Sequence, residues 1–361
     1  MNLLFFASDN KIGLSKLLVD QLIHLHGNQD LNIVAVSGEK EQSTGISNLL
    51  NGKINLLRIN GLDVHKDFFR ITSSVNQIII NNDIYIVHVQ NNWQLAIAGF
   101  VKYFLRRRIK IIYTIHGFRH NHLIKSLIAR IIIAWSLLLL ADMVIAPSSE
   151  LKRKFKLIRY KCRILYLGVN EEFFKLNGPD YFLAKRNLIF TGQFRNGKNQ
   201  AVIINALSRY ISKTGNQNVN LILPGEGPLL NYCKHIAEDL NIQSFVEFPG
   251  LLDIKSLIRI YKQCHVAVIA TNYETFGHCI AEPFVAGLCV ITRKTGIAGD
   301  IIREKENGLF FDTSEDLVQL FENYLGNADE LRNLGRSAIK ARDVLHWNVI
   351  SDKYAELIAD L

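Results

Sequence analysis

Residues 266–292 read VAVIATNYETFGHCIAEPFVAGLCVIT, and this stretch decides the fold. Val266–Ile269 is a short apolar run rich in β-branched residues, and Cys289–Thr292 is another. Neither shows the polar–apolar alternation of a half-exposed strand, so each reads as a strand buried on both faces. Between them Gly277–Ala286 reads as a helix. A strand, a helix and a second strand in this order form a βαβ unit, whose two strands run parallel.

The same rhythm extends outward in both directions. In the second half, strands are expected at Leu188–Thr191, Val219–Leu223, Val246–Phe248, Val266–Ile269, Cys289–Thr292 and Leu309–Phe311. Helical patterns fall between them at about Asn199–Ser212, Pro228–Leu240, Ile254–Lys262 and Gly277–Ala286, and the tail from Ser314 is helical with breaks near Gly326 and His346. In the first half, strands are expected at Leu3–Ala7, Asn32–Ser37, Ile54–Arg58, Ile84–Val89, Ile109–Thr114, Met143–Ala146 and Arg163–Tyr166. Helices are expected at Leu14–His26, Lys66–Asn81, Gln94–Leu105 and Leu123–Leu140. Leu167–Arg186 (LGVNEEFFKLNGPDYFLAKR) breaks the rhythm with Gly, Pro, Asn and mixed charge, and reads as a linker. The expected organisation is therefore a first domain over residues 1–166, a linker over 167–186 and a second domain over 187–344, both α/β with doubly wound parallel sheets. Two such domains put a cleft between them, and ligands bind outside the carboxyl ends of the strands.

Hydrophobic residues make up 48% of the chain and charged residues 21%, which excludes a disordered protein. The five cysteines are scattered, odd in number and without C-x-x-C spacing. They argue against a disulfide framework or a zinc site and fit a reducing, cytoplasmic compartment. The N-terminus MNLLFFASDN has no basic n-region or cleavage site and reads as a buried first strand. The net charge of +9 is uneven: Val101–Arg163 holds 15 Lys/Arg against Asp142 and Glu150, so the remainder is slightly acidic. Such a block attracts phosphates, nucleic acid or an anionic membrane surface, or serves solubility as a solvated face. Ile128–Ala146 is very apolar but carries Arg130 and Asp142 and is followed by Pro147. It reads as a buried helix to about Leu140 and a strand at Met143–Ala146, not as a membrane span.

Three segments follow strands and could carry chemistry. Thr191–Gln200 (TGQFRNGKNQ) combines Gly192, which lets backbone approach a ligand, with Arg195 and Lys198 near a helix start that favours anions. It nearly spells a P-loop, but Asn199 stands where Ser or Thr would bind magnesium. Leu221–Leu230 (LILPGEGPLL) places Gly225 and Gly227 in a tight strand-to-helix turn, with Leu230 where a dinucleotide fingerprint needs Gly. Tyr273–Pro283 (YETFGHCIAEP) is the most specific. Glu274 lies just after a strand and can accept hydrogen bonds from a sugar. Glu282 lies inside the following helix and can hold vicinal hydroxyls, as on ribose. The backbone around Thr275, Phe276, Gly277 and His278 offers N–H groups at a helix N-terminus. Singly each glutamate reads as an exposed side chain; their spacing beside Gly277 favours a site. His116, with His120 and His122, matches no zinc spacing, so no metal site is expected there.

With seven residues between Glu274 and Glu282, the sequence resembles the retaining glycosyltransferases of family 4, which share an E-x7-E motif. The resemblance runs through the second half: the Gly192-to-Lys198 start, the P-G-E-G-P turn, V-x-F-x-G at Val246–Gly250, Asn307-Gly308-Leu309-Phe310, and a closing helix with Trp347 and Tyr354. The first half matches more loosely, best at Tyr113–Gly117 (YTIHG). The resemblance implies a GT-B fold, two Rossmann-like domains facing across a cleft, with the closing helix over about 345–361 packing back on the first. It implies that Glu282 holds the donor ribose, Glu274 the transferred sugar and Lys198 the leaving diphosphate. His116 would line the sugar pocket, and Gly13 would mark the first strand-to-helix loop near the phosphates. Relatives have Arg where this chain has Gln193, and Arg195 is the nearby cation able to supply that charge. The first loop (SDNKIGLS) has one Gly where relatives often have two.

The implied reaction moves a hexose-type sugar from a nucleoside diphosphate sugar to a glycan or lipid-linked acceptor with retention, as in building O-antigen, capsule or exopolysaccharide. No Asp-x-Asp occurs, so protein cations rather than a metal cofactor are expected to handle the phosphates. The basic, apolar first half is expected to touch an anionic membrane peripherally, on the inner face of the plasma membrane. Three alternatives stand beside this reading: a sugar-nucleotide epimerase of the same fold, a P-loop phosphotransferase, and a non-enzymatic nucleic-acid-binding protein. The last lacks any aromatic–basic platform or known motif, so no nucleic-acid partner is expected.

Overall fold

The computed structural model describes residues 1–7, 21–25, 27, 31–37, 54–59, 62, 67–116 and 133–361. The chain divides into two units, Met1–Gly168 with Trp347–Leu361, and Val169–His346. The first holds strands β1 (Asn2–Ala7), β2 (Asn32–Ser37), β3 (Asn55–Arg58), β4 (Ile86–Val89), β5 (Lys110–Thr114), β6 (Met143–Ala146) and β7 (Cys162–Ile164). Its helices include α1 (Phe68–Asn81), α2 (Asn92–Tyr103), α3 (Ser149–Lys154) and, from the end of the chain, Trp347–Ala359. Helical residues 133–140 precede β6. The second unit holds α4 (Glu171–Phe174), β8 (Arg186–Ile189), α5 (Gln200–Thr214), β9 (Val219–Ile222), α6 (Leu230–Asp239), β10 (Val246–Glu247), α7 (Ile254–Tyr261), β11 (Val266–Ile269), α8 (His278–Ala286), β12 (Cys289–Thr292), α9 (Ala298–Ile301), β13 (Leu309–Phe310), α10 (Ser314–Tyr324) and α11 (Ala328–Ala341). The terminal helix Trp347–Ala359 is α12.

Every pairing in both sheets is parallel. The first sheet runs β3-β2-β1-β4-β5-β6-β7 and the second β10-β9-β8-β11-β12-β13. Each unit is thus doubly wound, with its strand order reversing beside its first strand. Alternation along the strands sorts the core of the first unit into two layers. Leu4, Phe6, Val34 and Val87 cluster with Ile71 and Val75 of α1 and Leu95 of α2. Leu3, Phe5, Ile33 and Ile86 cluster with Trp347, Ile350, Tyr354 and Ile358 of α12. Gly168 makes this docking possible, because a Cβ there would lie 2.1 Å from the Trp347 ring. Buried His88 ties the sheet to α12 within this second layer: its Nδ1 lies 2.8 Å from the Tyr354 hydroxyl and its Nε2 2.7 Å from Thr114 Oγ1.

The strands fall where the apolar runs place them, with small differences that have physical reasons. β8 begins at Arg186, which composition assigns to the linker. Its guanidinium is buried because it donates to the carbonyls of Leu183 and, at 3.0 Å, Leu325. β7 is Cys162–Ile164, shifted towards the N-terminus relative to Arg163–Tyr166. Helix α3 is too short to show a period and is set by Ser148, whose side chain accepts from the Leu151 N–H at 3.3 Å. Within 167–186, Phe173, Leu176 and Tyr181 are buried and belong to the second unit. Of the helices expected at Leu14–His26 and Leu123–Leu140, residues 21–25 and 133–140 are described and helical. Among the described residues no helix is long and apolar enough to cross a membrane.

Candidate active site

In the second sheet the strand order reverses between β8 and β11, and it is at such a reversal that doubly wound sheets take up ligands outside the carboxyl ends of their strands. The loop after β8 is Phe190–Asn199; the loop after β11 is Ala270–Gly277. They are tied to each other by hydrogen bonds. Asn272 N–H donates to Gly197 O at 2.9 Å. Asn199 Nδ2 donates to Ala270 O (2.9 Å) and Asn272 Oδ1 (2.7 Å), with Asn199 at φ +59°. The position where a P-loop would present a magnesium-binding hydroxyl therefore serves as a tether between loops.

Across this tether Lys198 Nζ is paired with Glu274 Oε1, the two side chains 11% and 13% exposed. Cys279 Sγ donates to the same carboxylate oxygen at 3.5 Å. Burial disfavours the Lys198 charge, but the groups facing it, with Glu274 as the charged one that also accepts its hydrogen bond, outweigh burial and hold its pKa above the ordinary lysine value. Burial pushes the Cys279 thiol far up, so it stays protonated and the negative charge is that of Glu274. Arg195 and Gln193 lie exposed in the same loop, and Arg195 is near enough to Lys198 to oppose its charge.

Two glycine-dependent contacts shape the crevice from behind. Gly225 has φ +140°, and a Cβ on it would lie 2.1 Å from Gly192 O. Gly227 has φ +151°, and a Cβ would lie 2.4 Å from Phe194 O. The Pro224–Pro228 turn thus backs the 192–194 backbone, with Gly192 N–H donating to Pro224 O at 3.1 Å and Phe194 N–H to Glu226 O at 2.9 Å. Gly225 supports the loop from this side. In front, Gly277 at φ +98° caps α8, whose first N–H groups lack intrahelical partners. The loop after β12 clamps the Glu274 segment: Glu274 N–H donates to Thr295 Oγ1 (2.9 Å) and Ile297 N–H to Phe276 O (2.7 Å).

Glu282 sits half-buried on α8, close enough to Tyr261 that its charge adds to burial in raising that phenol's pKa. The Tyr261 hydroxyl reaches Thr191 Oγ1 at 3.3 Å. Burial pushes His278 down to about 4, so it is neutral at pH 7; its Nε2 is shielded and without a hydrogen-bond partner. Phe276 is buried and Thr275 half-buried. In the first unit His116 follows β5, with its Nε2 2.5 Å from Oε1 of buried Gln90. Gly13, His120 and His122 lie outside the described residues. Among the described residues no group of three or more His, Cys, Asp or Glu is placed to hold a metal ion.

The structure thus brings Lys198, Glu274, Gly192 and Gly277 together around one crevice, with Arg195 and Gln193 in its β8 loop. It adds residues that sequence reading passed over. Asn199, Asn272 and Thr295 act through contacts distant in sequence, and Cys279 through Glu274 five positions before it. Arg293 donates to Asn272 Oδ1 at 2.6 Å and lies over the Phe311 ring. Its only sequence signal is its place directly after a strand.

Residues 33–173 match the family model "Glycosyltransferase Family 4", and residues 180–341 match "Glycosyl transferases group 1". Together these models account for most of the chain, which belongs to the glycosyltransferases of GT-B fold. An uncharacterised glycosyltransferase of Methanocaldococcus jannaschii is 25% identical over 182 residues, 46% of each chain. A second relative is the Campylobacter jejuni N-acetylgalactosamine-N,N'-diacetylbacillosaminyl-diphospho-undecaprenol 4-alpha-N-acetylgalactosaminyltransferase, 26% identical over 211 residues, 56% of this chain and 55% of that one. The chain spans about half the length of these curated relatives in the matched regions. Among solved structures, Anabaena HepE in complex with UDP superposes with a TM-score of 0.82 over 100% of both chains at 17% identity, which shows the shared fold.

Proposed function

We propose that the protein is a retaining, metal-independent hexosyltransferase that uses a nucleoside diphosphate sugar. The observation that carries this reading is the buried Lys198–Glu274 pair at the point where the strand order of the second sheet reverses. A cation and a carboxylate side by side in a shielded crevice suit a ligand with an anionic leaving group and sugar hydroxyls. Lys198, with Arg195 and the N-terminus of α8, faces the diphosphate and stabilises the charge it gains as the anomeric C–O bond breaks. Glu274 accepts hydrogen bonds from the transferred sugar, and Glu282 holds the donor ribose. The acceptor oxygen bonds to the anomeric carbon on the face the diphosphate leaves, and its proton passes to the departing phosphate oxygen. Binding of UDP by HepE supports a nucleotide donor.

The acceptor is lipid-linked, as the name of the Campylobacter relative states for that enzyme, and the product is a surface polysaccharide of the O-antigen, capsule or exopolysaccharide type. The protein works in the cytoplasm against the inner face of the plasma membrane. The test is Glu282→Ala, assayed for nucleotide affinity by thermal shift and for transfer of labelled sugar. Loss of both is expected; undiminished transfer refutes the assignment. Product formed without any acceptor would instead reveal an epimerase.

A further inference from the structure

We propose that the edge of the first sheet at which β5, β6 and β7 begin is a docking face for an anionic lipid bilayer. This rests on the membrane-contact part of the proposed function and not on the sugar-transfer part.

All strands of this sheet are parallel, so all begin at one edge. The connections into β5, β6 and β7 surface there, opposite the edge from which His116 follows β5. Each carries a large apolar side chain in water. Phe104 before β5 is 73% exposed, Leu139 before β6 is 63%, and Leu157 and Tyr160 before β7 are 59% and 64%. Clustered exposure of this kind marks an interaction surface, whereas single exposed residues need no explanation.

Hydrogen bonds hold the three connections together as one surface. The Tyr103 hydroxyl donates to Leu139 O at 2.9 Å. Lys161 Nζ donates to Leu138 O at 2.7 Å and to Ala141 O at 2.8 Å. Phe104 stacks on Phe100 with ring centroids 4.7 Å apart, which fixes it facing outward.

Among the described residues of these three connections, every charged side chain except Asp142 and, in α3, Glu150 is basic. Arg106, Arg107 and Arg108 follow Phe104 and are exposed, as are Lys156 and Arg159 around Leu157. Asp142, the one acid from Val101 to Ser149, is already held by Lys102 Nζ at 2.6 Å and by the Ile111 N–H at 2.7 Å. A cationic surface with protruding aromatic and aliphatic side chains matches the headgroup region of an anionic bilayer: the apolar groups enter the acyl boundary while guanidinium and ammonium groups meet phosphate. A second copy fits poorly, because like faces would bring the same cations together. Nucleic acid fits less well than lipid, because Leu139 and Leu157 offer no ring for a base to stack on.

The test is sedimentation of the full chain with phosphatidylglycerol vesicles and with phosphatidylcholine vesicles. One variant is Phe104→Ser/Leu139→Ser/Tyr160→Ser and another Arg106→Gln/Arg107→Gln/Arg108→Gln. Leu251→Ser, at a residue 73% exposed in the second unit, is the control. Expected is binding to the anionic vesicles that drops about 10-fold or more in each face variant at an unchanged thermal midpoint, with the control unaffected. The arginine variant also loses salt dependence. Binding that survives in both face variants overturns this assignment and leaves membrane contact standing. No binding of the unmodified chain to either vesicle overturns both, while labelled-sugar transfer to a soluble acceptor reads the transferase function separately. Tighter binding to single-stranded DNA, or a dimer, lost in the same variants would assign the face to those partners instead.

Discussion

Replacing Glu274 with Gln keeps the side chain's shape and one acceptor oxygen but removes the charge facing Lys198. The ammonium then remains in a site where both partners are only 11% and 13% exposed. Removing one partner of a buried ion pair typically costs about 3–5 kcal/mol. The residual exposure and the retained amide oxygen reduce this to about 2–3 kcal/mol. For a unit of this size, that corresponds to a fall of roughly 5–10 °C in thermal midpoint. Lys198→Met in the same background removes the stranded cation, so the double variant is expected to be more stable than Glu274→Gln alone. A nucleoside diphosphate supplies the missing negative charge and is expected to raise the midpoint of Glu274→Gln at least as much as that of the unmodified protein, while sugar transfer falls about 100-fold or more. Calorimetry of the unmodified protein, Glu274→Gln, Lys198→Met and the double variant, each with and without ligand, measures all of this. Strictly additive single effects would show that Lys198 and Glu274 do not share a buried charge, and the reasoning would fail.

Gly225→Ala puts a Cβ 2.1 Å from the Gly192 carbonyl at φ +140°, a backbone-to-backbone clash that cannot relax cheaply; a loss of about 2 kcal/mol or more is expected in denaturant titrations, with weakened nucleotide binding. Gly215→Ala, at φ +68° with nothing within 4 Å, is the control and is expected to cost only about 1 kcal/mol. Gly168→Ala meets the Trp347 ring at 2.1 Å and is expected to loosen α12, read as faster hydrogen exchange across Trp347–Ala359. His88 is held neutral by burial, with its pKa lowered from 6.5 to about 3. Its unfolded form binds the proton first, so stability is present above about pH 6.5 and is lost as pH falls towards about 3. By about pH 4.5 the loss is about 2.7 kcal/mol, two pH units at about 1.36 kcal/mol each. His88→Gln is expected to flatten that acid limb in urea titrations across pH, and parallel curves would contradict the assignment.

Much of the fold is legible in the chain because burial on both faces leaves a local mark. Val266–Ile269 and Met143–Ala146 are apolar throughout, Cys289–Thr292 and Asn32–Ser37 are apolar except at their ends, and each is a strand at those residues. The candidate site is legible in part for the same reason: Lys198, Glu274 and Gly277 stand directly after strands or at helix starts, where a doubly wound sheet gathers its ligand-facing groups. Arg186 escaped because its burial depends on carbonyls supplied by Leu183 and Leu325.

By itself the sequence determined where most of the strands and the longer helices form, and which residues lie at their carboxyl ends, since periodicity and turn chemistry act over a few neighbours; short helices such as α3, α4 and α9 left no such mark. Only the tertiary structure decided which ends meet. Lys198 and Glu274 are 76 positions apart, and His88 and Tyr354 are 266 apart. Gly225 is glycine because another loop's carbonyl presses on it. Such pairings follow from strand order and crossover packing, where the burial of whole layers outweighs the preference of any one residue, and local pattern carries no record of them.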